Sequence, residues 1–140
     1  MAEAKFVVDA SAVVALVRQE NGWRKVDAAL KAGAKIAATN LAEAVTTLKR
    51  RGNTSSTEEL IENLAGLGLK VEDVVADDAS RAAEVILESD ALVAKGDLAC
   101  PVSFGDATCM AVAERLGVPV ISSDEAWSKL KLSVRVGQFR

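Results

Sequence analysis

The sequence contains no histidine and no tyrosine among its 140 residues. The missing histidine excludes histidine acid–base catalysis, Ser-His-Asp and Cys-His nucleophile systems, and zinc sites that use imidazole ligands. Any chemistry of this chain must therefore come from carboxylates, hydroxyls, lysine, arginine or a bound metal.

Cysteine is also scarce, with only Cys100 and Cys109 present. Their spacing matches no metal-binding motif, and Cys109 stands among apolar residues of a predicted helix. We therefore expect an inert buried thiol at position 109 and no disulfide.

The chain lacks any run of about 20 apolar residues, which a membrane-spanning helix would need. Its first residues lead directly into a short predicted strand, so no signal peptide is expected. Half of the residues are hydrophobic, which is enough to build a core at this length. We predict a cytoplasmic protein without a membrane span, folded as one domain over residues 1–140.

An excess of positive charge is missing as well, because the formal net charge is −3 at pH 7. The chain is therefore not a globally basic nucleic-acid binder. Local basic patches exist, and the most concentrated is Lys49-Arg50-Arg51 at the end of a predicted helix. These residues either complement the helix dipole or contact phosphate, and the sequence leaves both interpretations open.

Short apolar runs alternate with longer amphipathic segments, which predicts strands alternating with helices. The predicted strands are 5–9, 34–38, 69–75, 118–121 and 133–136. The predicted helices are 11–18, 22–31, 40–51, 57–67, 77–90, 105–116 and 124–130. This order predicts an α/β fold with three layers, α/β/α, around a mainly parallel central sheet.

Four acidic residues stand where a predicted strand passes into a helix or where a helix begins: Asp9, Glu43, Asp106 and Asp124. The carboxyl ends of parallel strands form the ligand-binding edge of such a sheet, so these acids can converge. Converging carboxylates without basic partners favour a hard cation, namely Mg²⁺ or Mn²⁺.

Helix capping is the competing interpretation for each acid taken singly. Asp124 has the position of an N-cap, and Asn40 with Glu43 and Ser103 with Asp106 have capping-box spacing. Capping does not require four acids to recur at one sheet edge, so their joint placement favours a metal site.

Several motifs extend this pattern over nearly the whole chain. They are Val8-Asp9-Ala10-Ser11-Ala12, Asn40-Leu41-Ala42-Glu43-Ala44, Val102-Ser103-Phe104-Gly105-Asp106-Ala107 and Gly117-Val118-Pro119-Val120-Ile121-Ser122-Ser123-Asp124-Glu125-Ala126-Trp127, with a terminal Arg140. In these motifs the chain resembles the PIN-domain nucleases, and among them the VapC-type toxins of prokaryotic toxin–antitoxin systems.

The resemblance implies that the four acids form a metal pocket. It places Ser11 beside that pocket, and Ser122 or Ser123 as a small hydroxyl near the last acid. The chain departs from the family at Glu125, where a basic residue is frequent, so the resemblance implies no substrate contact at that point.

The resemblance also implies an activity and partners. The activity is Mg²⁺- or Mn²⁺-dependent endoribonuclease cleavage by the toxin of a type II toxin–antitoxin system. The partners are an RNA substrate, a second copy in a homodimer, and a VapB-like antitoxin whose C-terminal segment blocks the site.

Two alternatives remain from the sequence. A phosphoacceptor receiver domain is also a small α/β sheet with an acidic Mg²⁺ pocket, but it needs paired acids after the first strand and an acceptor aspartate after the third. Here Asp9 is single, and the third strand leads to Asp77 and Asp78 at a helix start. The other alternative is a PIN-like protein-interaction module without catalysis, which retention of all four acids disfavours.

Overall fold

The computed structural model of the protein describes residues 3–140. Its strands are β1 (Phe6–Val8), β2 (Ala34–Ala37), β3 (Leu69–Glu72), β4 (Val120–Ser122) and β5 (Val136–Gln138). Its α-helices are α1 (Ala10–Arg18), α2 (Trp23–Gly33), α3 (Ala38–Arg50), α4 (Thr57–Gly66), α5 (Ala76–Ala94) and α6 (Phe104–Leu116). A short 3₁₀ helix, Glu125–Lys129, follows β4.

The strands form one sheet in the order β3-β2-β1-β4-β5, and every adjacent pair is parallel. This confirms the predicted α/β class with a parallel central sheet. The chain builds the sheet outward from β1 in both directions, so the strand order reverses between β1 and β4. In open α/β sheets the ligand crevice lies at such a switch point, beyond the carboxyl ends of the strands.

Hydrophobic side chains cover both faces of the sheet. Val7 and Val8 are fully buried and belong to opposite halves of the core, as the alternation of a strand requires. The half that contains Val8 is filled by residues of α1 to α4, and the half that contains Val7 by residues of α5 and α6. The result is the predicted three-layer arrangement.

The predicted element bounds differ from the structure in several places. Strand β3 ends at Glu72, three residues earlier than predicted, β4 is Val120–Ser122 in place of 118–121, and the last predicted helix is the short 3₁₀ helix. Helix α3 begins at Ala38, so Asn40 lies inside the helix and does not start it. Helix α5 runs on to Ala94, because 91–94 adds residues that tolerate a helix. The last strand is Val136–Gln138, later than predicted, because Leu132 and Val134 alternate like strand residues but pack on the core before the pairing with β4 begins.

None of the helices within residues 3–140 is long and apolar enough to cross a bilayer.

Candidate functional site

Asp9 lies at the junction of β1 and α1, and only 5% of it is exposed. Its Oδ1 accepts hydrogen bonds from the Ala12 N–H at 2.9 Å and the Ser11 hydroxyl at 2.7 Å, and its Oδ2 accepts one from Ser122 at 2.6 Å. Burial raises the pKa of Asp9, the hydrogen bonds oppose the rise, and the charge of Asp124 adds to it. The site therefore contains a buried carboxylate held in place by neutral donors.

The hydroxyl groups of Ser11, Ser122 and Ser123 connect the carboxyl end of β1 to that of β4. Ser122, at the end of β4, accepts the Asp124 N–H at 3.1 Å while it donates to Asp9. The Ser123 and Ser11 hydroxyl oxygens lie 3.1 Å apart. Together they join the carboxyl ends of the two strands that flank the switch point.

Glu43 lies on α3, and the neighbouring Asn40 fixes its position. The Asn40 Nδ2 donates to the Glu43 Oε1 at 2.7 Å and to the Gly105 carbonyl at 3.0 Å. Asn40 is buried, and within residues 3–140 its Oδ1 has no hydrogen-bond partner. The spacing of Asn40 and Glu43 is therefore not a capping box, and the pair joins α3 to the beginning of α6.

Gly105 makes room for Glu43. A Cβ atom at position 105 would lie 2.2 Å from the Glu43 Oε1, a separation that real Cβ atoms do not show. Glycine at this position thus allows the Glu43 carboxylate to lie against the first turn of α6, next to Asp106.

Asp106 lies in the first turn of α6, where Ser103 caps the helix by accepting the Asp106 N–H at 3.1 Å. Burial raises the pKa of Asp106 to about 6, hydrogen bonding with Ser103 opposes the rise, and the charges of Asp9 and Asp124 increase it. The Asp106 carboxyl group is therefore electrostatically coupled to Asp9 and Asp124.

Asp124 caps the 3₁₀ helix, because its Oδ1 accepts the Ala126 N–H at 2.9 Å. The capping interpretation is confirmed for this residue. Asp124 does not line the cavity that the other three acids share, but its charge raises the pKa values of Asp9 and Asp106. It stands at the border of the site.

One cavity of about 270 Å³ brings three of the four predicted acids together. Its lining residues are Asp9, Ala10, Ser11, Val14, Glu20, Asn40, Glu43, Thr47, Arg51, Asp106 and Arg140. Within the described chain, no lysine or arginine forms an ion pair with any of the four predicted acids, whereas other acids, such as Glu20, Glu72 and Glu114, do form them.

The side chains that line the cavity offer the type of ligand that a hard cation binds. They provide carboxylate, amide and hydroxyl oxygens, and they include no imidazole and no thiol. The buried Asn40 Oδ1, which has no hydrogen-bond partner within the described residues, is a further acceptor that a hydrogen-bond donor or a cation can satisfy. In residues 3–140, however, no three acidic or thiol side chains are already grouped as a metal-binding cluster. Asp9 and Glu43 instead accept hydrogen bonds from neighbouring hydroxyl and amide groups.

Three polar residues of the cavity were not predicted from the sequence as part of a site, and one of them is Asn40, described above. Glu20 lies in the turn after α1, and Thr47 lies on α3. For Thr47 a signal exists, because Glu43, Thr47 and Arg51 recur every four residues and so share one helix face. No sequence pattern predicts Glu20 as a cavity residue, because its position depends on the conformation of the turn after α1.

Comparison with known proteins identifies the fold and the family. No curated protein sequence matches the chain. Among solved structures, a sarcin–ricin-loop-cleaving VapC toxin of Mycobacterium tuberculosis has a TM-score of 0.70 at 23% identity, covering 89% of this chain and 93% of that one. VapBC of Rickettsia felis, bound to a promoter DNA fragment, has a TM-score of 0.70 at 12% identity, with coverage of 95% and 97%.

A third structure, DNA-bound VapBC of Salmonella typhimurium, has a TM-score of 0.68 at 17% identity and covers 97% of this chain and 98% of that one. At these identities the likeness establishes the fold, and the resemblance found in the sequence motifs agrees with it. The PIN domain sequence profile matches residues 6–132. The chain therefore belongs to the PIN domain family.

Proposed function

We propose that this protein is a Mg²⁺- or Mn²⁺-dependent endoribonuclease that acts as the toxin of a type II toxin–antitoxin system. The observation that carries the proposal is the cavity that Asp9, Glu43 and Asp106 line together, with none of the three in an ion pair within the described residues. The family supports it, because structural neighbours of this chain are VapC toxins and VapBC complexes, one of them described as cleaving the sarcin–ricin loop.

Asp9, Glu43 and Asp106 would hold the metal, with Asp124 contributing from the border of the site. A bound ion supplies Lewis-acid polarisation of a phosphodiester and a water molecule of lowered pKa. This chemistry suits a chain without histidine, because no imidazole base is needed.

The chain's own residues orient the carboxylates. Ser11 and Ser122 hold the two oxygens of Asp9, and Asn40 holds Glu43 against Gly105. Because these side chains are not yet grouped around one point, binding an ion requires them to turn toward each other.

The receiver alternative loses support from both topology and site. Receivers have the strand order 2-1-3-4-5, whereas this sheet has the order β3-β2-β1-β4-β5. Asp78, one of the two acids at the start of α5, is buried and accepts two hydrogen bonds from Arg115, at 2.9 and 3.1 Å. A carboxylate held in this way is not available as a phosphoacceptor.

The proposed function includes partners. A cavity of about 350 Å³ between α1, α2 and α4 presents mostly apolar side chains, among them Leu16, Trp23, Leu60 and Leu64. Such a groove suits the apolar face of a partner helix. We propose that an antitoxin segment occupies it and extends to the acidic cavity, and that the toxin functions as a cytoplasmic homodimer.

The test is cleavage of RNA by the full-length protein with Mg²⁺ or Mn²⁺ and with excess EDTA. We expect cleavage only with metal, and products that carry 5′-phosphate and 3′-hydroxyl ends. Asp9→Asn should abolish it, while Asp77→Asn, which changes an exposed acid in the first turn of α5, should not. Cleavage that persists in EDTA, or products with a 2′,3′-cyclic phosphate, would overturn the mechanism.

A further inference from the structure

Three arginines gather around one carboxylate at the rim of the acidic cavity. The Glu20 Oε2 lies 3.2 Å from the Arg18 Nε and 3.4 Å from an Arg51 guanidinium nitrogen, and its Oε1 lies 3.6 Å from Arg140. One negative charge thus faces three positive charges, so this group of residues keeps an excess of positive charge. Glu20, Arg51 and Arg140 line the same cavity as the three acids.

Separate elements bring these side chains together. Glu20 follows the left-handed residue Gln19 (φ 53°) that ends α1, and Arg51 follows the end of α3. Arg140 follows Phe139, whose ring is buried and lies 5.2 Å from the Arg140 guanidinium carbon. Gly22 (φ 86°) leaves room for the Phe139 backbone, because a Cβ atom at position 22 would lie 2.1 Å from the Phe139 carbonyl oxygen.

The rim arginines are held more loosely than the structural arginines of this protein. Arg81 and Arg115 each make two-pronged pairs, with shortest distances of 2.6 Å to Glu114 and 2.9 Å to Asp78. Arg51 and Arg140 instead make single contacts to Glu20 beyond 3.3 Å, and their side chains are 50% and 34% exposed. Exposed pairs of this kind contribute little free energy, so another anion can replace the carboxylate at small cost.

We propose that Arg51 and Arg140 form a phosphate subsite for the backbone of the nucleic-acid substrate, in which Glu20 is the resident anion that the phosphate displaces. The proposal rests on the proposed nuclease function, because it takes a nucleic-acid strand as the ligand of this cavity. Guanidinium groups match phosphate oxygens in charge and geometry. The acids and the arginines then contact different phosphates of one strand.

Arg18 supports the subsite without lining the cavity. Its guanidinium donates to the Arg51 carbonyl oxygen at 3.5 Å and pairs with Glu20. It therefore holds the end of α3 and the turn after α1 in their relative positions, and the two cavity arginines are left to meet the phosphate.

The test measures binding of a fluorescein-labelled single-stranded RNA of mixed sequence to the full-length protein in EDTA, over a series of salt concentrations. Arg51→Ala and Arg140→Ala should each weaken binding about tenfold, the loss expected for one charge-assisted contact. Each should also lower the salt-dependence slope by about 0.7, because one counterion fewer is released from a single strand. Arg24→Ala removes an exposed arginine outside the cavity and should change neither quantity.

Glu20→Gln should change binding in the opposite direction. It removes the competing negative charge but keeps a polar side chain of the same size, so RNA should bind several-fold more tightly, with a steeper salt dependence. A misfolded variant would not gain affinity, so this substitution separates the phosphate subsite from a purely structural ion-pair network.

Two results would overturn the subsite. In the first, the wild type binds RNA, but Arg51→Ala and Arg140→Ala weaken binding no more than Arg24→Ala does. In the second, the wild type does not bind RNA. If the wild type still cleaves RNA with metal in the first case, the nuclease stands and only the subsite fails. If RNA binding depends on both arginines but no divalent metal supports cleavage, the subsite stands and the nuclease fails.

Discussion

Burial, hydrogen bonding and a neighbouring charge all act on the pKa of Asp9. Burial favours its protonated form, and three neutral donors favour its charged form. No ion pair within residues 3–140 neutralises it. A bound cation would remove the remaining electrostatic cost of this carboxylate.

Substituting Gly105 by alanine tests whether the position of Glu43 matters. The new methyl group must displace the Glu43 carboxylate, and this costs little stability because the displaced atoms end a flexible side chain. Metal-dependent cleavage should fall by about 10- to 100-fold, as happens when the support of a metal ligand is lost. RNA cleavage and a thermal melt of the same preparation measure the two effects.

Gly66→Ala is the matched control, since Gly66 is also helical and a Cβ atom there meets nothing within 4 Å. It should leave cleavage unchanged and raise stability by up to about 1 kcal/mol. Equal activity in Gly105→Ala and Gly66→Ala would show that the arrangement of Glu43 has no role in the reaction.

Asp106 gives a prediction on pH without metal. The pKa of its folded state is about 6, above the ordinary value of 3.8, so the folded protein binds this proton more tightly than the unfolded chain does. Stability of the metal-free protein should therefore fall as pH rises from about 4 to about 6. Asp106→Asn should flatten this dependence and, at neutral pH, stabilise the metal-free protein by roughly 1 kcal/mol after solvent screening.

Urea unfolding of the wild type and Asp106→Asn across this pH range, in EDTA, measures the difference. A capping role alone predicts the reverse, a loss of about 0.5–2 kcal/mol or less in Asp106→Asn at neutral pH. That loss would argue against the raised pKa.

At the residue scale, the sequence predicted the acids and the hydroxyls but not all their partners. Asp9, Ser11 and Ser122 stand beside strand ends, where sequence position determines location in space. Asn40 was predicted only as a helix start, because its contact with Gly105 joins residues 65 positions apart. Glu20 reaches the cavity through the turn after α1, and no periodic pattern records that turn.

At the scale of single elements, hydrophobic periodicity located the helices, and their ends were less certain. A run of helix-compatible residues extends α5 beyond its predicted end, and alternation in 132–136 imitates a strand before the pairing starts. The local sequence does not predict the end of α5 or the start of β5, because these boundaries depend on core contacts and on the register of β5 with β4.

The pairing of α5 with α6 gives a prediction on stability. Asp78 is buried, and burial alone would raise its pKa, but hydrogen bonds from Arg115 and the Val75 N–H and the charge of Arg115 lower it. Arg115→Ala leaves this carboxylate without its cation and should cost about 2–3 kcal/mol at neutral pH. Chemical unfolding measures the loss.

The pH dependence of this loss has a definite sign. Because the folded pKa of Asp78 lies below the ordinary value of 3.8, the stabilisation is present above that value and disappears as pH falls through the folded pKa. The Arg115→Ala deficit should therefore shrink in acid. Lys31→Ala, which breaks an exposed pair with Asp27, is the control and should cost only about 0.3–0.5 kcal/mol.

At the scale of the whole molecule, the sequence predicted a parallel sheet but not the order of its strands. The alternation of strands and helices implies parallel pairing for many possible orders. The order found here places the switch point between β1 and β4, and so brings Asp9 and Ser122 into contact across 113 positions. The positions of the acids at strand ends and helix starts predicted this convergence, and the family resemblance agreed with it.

The partner of the proposed toxin gives a prediction for the assembly. Residues of α1 line both the acidic cavity and the apolar groove, so an inhibitory peptide in the groove should place a basic side chain among the carboxylates. Replacing the arginines of a co-purified partner one at a time should release RNA cleavage at one position. Full inhibition by every single variant would exclude inhibition by such a side chain.

The most direct test of the metal site is the gain in melting temperature on adding Mg²⁺, measured for the wild type and Asp106→Asn. A ligand that binds only the folded state raises its stability, by about 2.7 kcal/mol at 100 times its Kd. The site described here predicts a clear gain for the wild type and a much smaller one for Asp106→Asn, whose metal-free protein starts at equal or higher stability. An equal Mg²⁺ gain in both proteins, with full RNA cleavage by Asp106→Asn, would contradict the proposed carboxylate site.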